Sequence, residues 1–245
     1  MTFTPPSNKT VKLAVATCSV ALLTSVSYAA SIVVAAEQHN GLADAAGNLL
    51  AIGNQIRVGT FDAAGTDTAL KAFADVGTYS AIALRFTQIG ALHVGDTYGI
   101  PGYFSGEIQV PTNNDAFANA QVYLWVFKTS DNLDPNATYS NVVETAILWL
   151  DRSTPTAQNA FADAWRFRPQ SAIPNSTAID LANLTNASNN LSPGAHIAVG
   201  SFNRTADGGL GPARQFSTAA PVPEPTSIFF LGIGALSLIA TRRRS

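Results

Sequence analysis

Cysteine and methionine each occur once in the 245 residues, and charged side chains make up only 12% of the chain. The single cysteine, Cys18, lies in an apolar stretch near the N-terminus. Beyond that stretch no disulfide, cysteine–zinc site or thiol nucleophile can form. Low charge combined with 47% hydrophobic residues excludes a disordered polyelectrolyte. Histidine is also scarce: His39, His93 and His196 are far apart, and neither H-E-x-x-H nor G-x-S-x-G occurs. No glycine loop of the phosphate-cradling kind is present.

A basic stripe is missing too. The formal net charge is −2, and the lysines and arginines are unevenly placed. With Lys9, Lys12, Glu224, Arg242, Arg243 and Arg244 set aside, residues 30–222 hold nine basic and fifteen acidic residues, a net of −6. An acidic body of this kind does not offer the clustered positive face that nucleic acid requires. Fifteen carboxylates always allow some pair to meet, so spacing alone does not point to a glycosidase.

The two ends carry the organised signals. Lys9 and Lys12 precede an apolar run over residues 13–23, followed by the small residues Ser25, Ser27, Ala29 and Ala30. This is the three-part layout of a secretory signal peptide, with cleavage expected between Ala29 and Ala30. Thr17 before Cys18, and the apolar residues after it, do not fit a lipoprotein signal. At the other end Pro221, Val222, Pro223, Glu224 and Pro225 lead into an apolar run over residues 226–240, closed by Arg242, Arg243 and Arg244. Fifteen residues make about 22 Å of helix, short of the roughly 20 residues of a stable span. Positive charge at both ends would stay on the cytoplasmic side, leaving the body outside.

This tail resembles the PEP-CTERM sorting signal. Pro223, Glu224 and Pro225 match its motif, and Arg242, Arg243 and Arg244 match its basic end. The resemblance implies an exosortase, a membrane cysteine protease, as partner, in bacteria that make exopolysaccharide or biofilm matrix. The division expected is 1–29 signal peptide, 30–220 extracytoplasmic body, and 221–245 sorting tail with a short transmembrane helix.

Within the body, short β-like runs are broken by Gly, Pro, Asn and Asp. Strands are predicted over residues 49–52, 56–61, 81–87, 107–110, 122–128, 142–150 and 196–202. Thr66 as N-cap, Leu70, Phe73 and Val76 on one face, and Gly77 beyond the end predict a helix over 67–76. A shorter helix is predicted over 159–165. The expectation is a mainly β, single β-sandwich or jelly-roll-like domain with one or two short helices. An I-x-V-G-[ST]-F echo at 56–61 and 197–202 suggests equivalent strands in two halves.

Alternation places Tyr123, Trp125 and Phe127 on one strand face and Val122, Leu124 and Val126 on the other. An aromatic row could stack on sugar rings. A strand apolar on both faces is more simply a core strand, with Trp149 on its neighbour. Glu144 is expected on an exposed stretch. Asp131, Asp134 and Asn136 supply loop oxygens but lack the spacing and closing glutamate of an EF-hand. His93 and Asp96 share a turn. No metal, cofactor or catalytic residue is assigned. The expected function is an exported surface or matrix protein without catalysis, exopolysaccharide being a matrix partner and nucleic acid none. The alternative is a carbohydrate-binding module using Tyr123, Trp125 and Phe127, and a glycan hydrolase stands third.

Overall fold

The computed structural model describes residues 31–36, 40–110, 117, 119–151, 165–167, 176–185, 188, 190–204 and 214–222. The signal region with Ala29 and Ala30, the tail from Pro223 through Arg244, and the predicted 159–165 helix except Trp165 lie outside the described residues.

The described chain is mainly β. Its strands are β1 (Ser31–Ala36), β2 (Asn40–Ala43), β3 (Gln55–Phe61), β4 (Phe86–His93), β5 (Phe104–Gln109), β6 (Tyr123–Thr129), β7 (Val142–Leu150), β8 (Ser176–Asp180), β9 (Ala195–Val199), β10 (Ser201–Arg204) and β11 (Arg214–Ser217). Helices α1 (Asp67–Asp75) and α2 (Tyr79–Ala83) separate β3 from β4. The strands form a five-stranded sheet of order β4-β3-β6-β7-β9 and two three-stranded sheets, β5-β1-β8 and β10-β11-β2. Every pairing in the large sheet is antiparallel, whereas β1–β8 and β11–β2 pair in parallel.

Both faces of the large sheet are covered. Ile56, Val58, Leu124, Val126, Ala146 and Leu148 turn towards Ile32, Val34, Phe104 and Ile108 of one small sheet and Leu42 and Phe216 of the other. Trp125, Phe127, Ile147 and Val199 turn the opposite way, against Leu70 and Ala74 of α1 and Tyr79 and Ile82 of α2. The layers therefore run helices, large sheet, small sheets. The apolar period of two in β6 serves both cores at once.

Helix α1 starts where its cap predicts: the Thr66 hydroxyl accepts from the Ala69 N–H. It ends at Gly77, whose φ of +69° suits a residue without Cβ. Leu70 and Ala74 make its buried face, while Val76, expected to pack, is exposed. The 81–87 strand is corrected. Residues 79–83 form α2, with Tyr79 and Ile82 three apart on its buried side, and strand structure begins only at Phe86. A short apolar run carries no period long enough to separate helix from strand. Residues 49–52 give one isolated bridge, Ala43 to Leu49, and no strand.

The 196–202 strand is split between two sheets. Gly200 sits at φ +106°, where a Cβ would lie 2.4 Å from the Ser217 carbonyl oxygen, and the chain turns there from β9 into β10. In the matching echo, Gly59 marks only a register shift inside β3. The two echoes thus hold unlike places, one internal strand and one edge. Strands β1, β2, β8 and β11 are not among those predicted from the sequence.

Candidate functional site: the strap before the C-terminal tail

Past β11 the chain runs as a strap, residues 218–222, stitched to three elements. The Thr218 N–H donates to the Ala43 carbonyl at 3.0 Å. Ala219 and Thr145 of β7 exchange N–H to carbonyl bonds at 2.8 and 3.0 Å. The Val222 N–H donates to the Asp75 carbonyl at 2.7 Å, at the end of α1. The last carbonyls of a helix have no partner within it, so the strap supplies one. The Pro221 ring lies over Gly77, where an added Cβ would meet it at 3.5 Å. Pro223 follows directly.

A charged cluster pins the strap from beneath. The Lys128 ammonium donates to Glu144 at 2.7 Å and to Asp44 at 3.1 Å. The other Glu144 carboxylate oxygen accepts from the Ala45 N–H at 2.7 Å and from the Thr218 hydroxyl. Burial pushes the Glu144 carboxyl up, but the bonds from Lys128, Thr218 and Ala45 outweigh it and hold the carboxyl below its ordinary value. Asp44 is likewise lowered, its burial outweighed by bonds from Asn48 and Lys128. Burial pushes the Lys128 ammonium down, yet Glu144 and Asp44 raise it overall. Tyr79 is pushed up to about 12 by burial and by the nearby Glu144 charge.

The expectation that Glu144 lies exposed is therefore corrected: it is buried. Its cover comes from Thr218, 74 residues further along the chain. A register shift between Lys128 and Thr129 further breaks the alternation from which its side would be read.

The aromatic row along β6 does not form a platform. Trp125 and Phe127 are fully buried, Trp125 donating its indole N–H to Thr145 at 2.8 Å, and Tyr123 is half-buried. Helices α1 and α2 pack over this face, so it gives those two rings to the core. The aromatics that remain partly open run across the strands. Tyr123 pairs in register with Trp149, and Trp149 with His196. The Trp149 and His196 rings stack at 3.8 Å, and Asp67 accepts from the Trp149 indole at 3.0 Å.

His93 meets a carboxylate from another loop as well as its own turn. Its Nε2 lies 2.7 Å from Asp134, its Nδ1 lies 3.7 Å from Asp96, and its backbone N–H donates to Asp96 at 2.6 Å. These residues, with Ile52 and Leu133, line an open hollow of about 560 Å³ that carries no hydroxyl or thiol nucleophile. The other loop oxygens serve the loop itself. Asp131 accepts from the Leu133 N–H and from Asn141, and Asn136 accepts from the Ser140 N–H. Among the described residues no three His, Cys, Asp or Glu side chains are grouped to hold a metal ion, and no helix is long and apolar enough to cross a membrane.

No curated protein and no solved structure matches the chain. Residues 221–244 match the PEP-CTERM protein-sorting motif, so the match begins inside the strap, at Pro221. The chain thus carries a PEP-CTERM protein-sorting motif, whose matched span opens one residue before Val222 and its bond to the end of α1.

Proposed function

We propose that the chain is an exported cell-surface protein, delivered by its tail, whose body binds or builds and does not catalyse. The match over residues 221–244 carries this reading, because that motif implies sorting to the surface by an exosortase. The proposal includes removal of residues 1–29, transient anchoring through residues 226–240 and cutting near Pro223, Glu224 and Pro225. A β-sandwich body, the large sheet packed on the small ones, fits an extracytoplasmic protein that needs no thiol. Matrix exopolysaccharide is the partner class proposed for the body.

The test compares cells with and without an exosortase by mass analysis of the product. Wild-type chain should lose its tail only when the exosortase is present, and Glu224→Ala should leave an uncut precursor in the membrane. An intact tail through Ser245 on the final product of exosortase-positive cells overturns the processing claim.

A second reading, direct saccharide contact, is favoured by the cross-strand row Tyr123–Trp149–His196. Its rings are partly open and flanked by the carboxylate of Asp67. An apolar ring beside hydrogen-bonding groups suits a sugar face. His196→Ala should then weaken polysaccharide retention without lowering the melting temperature. Unchanged retention removes this reading.

A further inference from the structure

The strap limits how far the body can stand from the membrane. Val222 is bonded to Asp75, and only Pro223, Glu224 and Pro225 separate it from the apolar run that starts at Thr226. Fully extended, the chain from Val222 to Thr226 spans at most roughly 13–14 Å. The headgroup layer on each side of a bilayer is itself about 5–8 Å thick. A body bonded through Val222 therefore cannot float free of a membrane that holds the tail. With the tail inserted, Val222 can stand no more than roughly 5–9 Å beyond the headgroups, so the surface around it faces the membrane at close range.

Open apolar side chains lie at Val222 and on the helix pair to which it is bonded. Val76, one residue beyond the Asp75 carbonyl, is 53% exposed, and Val222 itself is 59% exposed. Leu84, at the end of the adjoining α2, is 89% exposed, more than any other large hydrophobic among the described residues. Phe73 is partly open beneath the Arg85 guanidinium, 5.5 Å from its ring. The core takes Leu70, Ala74, Tyr79 and Ile82, with Phe73 packed partly against it, and leaves Val76 and Leu84 outside. Such exposed apolar side chains at the root of an insertable segment fit the boundary between headgroups and acyl chains.

The geometry points to the outer α1–α2 face as a lipid-docking surface: Val76, Leu84 and Val222 seat in the membrane interface while the tail is inserted. The opposite side, the outward face of β1 with Val33 at 42% exposure, points away from the bilayer. This inference rests on the reading that residues 226–240 enter the membrane.

The experiment uses the full chain with Cys18→Ser, reconstituted in phosphatidylcholine–phosphatidylglycerol vesicles whose lipids carry bromine near the headgroup end of the acyl chains. A fluorophore is placed singly at Val76→Cys, Val33→Cys or Leu236→Cys. Labels at Leu236 and Val76 should lose emission to the bromine, and the label at Val33 should not. Val222→Pro, which removes the donor to Asp75, should relieve quenching at Val76 and leave it unchanged at Leu236. Quenching at Leu236 without quenching at Val76 overturns the docking face and spares the inserted tail. No quenching at Leu236 overturns both. Persistent quenching at Val76 in Val222→Pro refutes the strap as the part that sets the orientation.

Discussion

Replacing Glu144 by glutamine keeps the side chain's shape and removes its charge, which makes it a direct probe of the cluster beneath the strap. One carboxylate oxygen of Glu144 serves Lys128 and the other serves Ala45 and Thr218. Glutamine has one oxygen, so its amide NH₂ must face a donor on one side or the other. Hydrogen bonds to a charged group contribute about 1.5–3 kcal/mol each. Breaking a buried pair by removing one partner costs about 3–5 kcal/mol. The lower end applies because Lys128 stays 29% exposed and keeps Asp44. The expected loss is about 3 kcal/mol, or roughly 6–12 °C in melting temperature for a protein of this size. Thermal unfolding followed by circular dichroism measures it. Limited proteolysis should show cutting near Thr218 sooner than in the parent, because the strap loses an anchor. The control Thr218→Val removes only the hydroxyl and should cost about 1 kcal/mol. A Glu144→Gln protein that melts within a degree of the parent, with no faster cutting, would refute the cluster's role in holding the strap.

Stability should also fall at both ends of the pH scale, read as the denaturation midpoint against pH. Glu144 and Asp44 titrate below their ordinary 4.5 and 3.8, so their contribution is full above those values and is lost as pH falls through the folded ones. Lys128 and Tyr79 titrate above their ordinary 10.5 and 10.0, so theirs is full below those values and is lost as pH rises through the folded ones. A flat profile through the acid range contradicts the assignment of Glu144. Trp125→Ala removes a fully buried ring and its bond to Thr145 and should cost about 3–5 kcal/mol in chemical unfolding. Gly200→Ala forces a Cβ against the Ser217 carbonyl at positive φ and should cost at least about 2 kcal/mol. A neutral result there means β9 and β10 can turn without that glycine.

The parts of this fold legible in sequence are those set by neighbours in sequence. Thr66 and Gly77 fix α1, and alternation along 123–127 fixes β6 as a strand with two apolar faces. What sequence does not show depends on distant partners. Val76 has the period of a core residue, but it falls at the C-cap of α1 and stays exposed. Ser31–Ala36 carries no turn signal that separates it from the small residues before it, and only β5 and β8 make it a central strand. Glu144 reads as a polar residue in an apolar run, and its burial needs Thr218. The sorting motif is the reverse case. Pro223, Glu224, Pro225 and the arginines are recognised as a linear string, so they are legible without any fold. Their attachment through Val222 and Asp75 is visible only in three dimensions.

The parallel pairing of β11 with β2 sets an order of events. Asn40 lies opposite Arg214 and Ala43 opposite Ser217, so the third small-sheet strand to be made completes a pair begun some 170 residues earlier. A chain that emerges N-terminus first, from a ribosome or through a pore, exposes β2 long before β11 exists to cover it. Contacts of such long sequence separation form slowly, because the loop between them must be closed first. Leu42 waits for Phe216, and Glu144 waits for Thr218. Completion of the body therefore cannot precede the making of the residues that lead directly into the sorting motif.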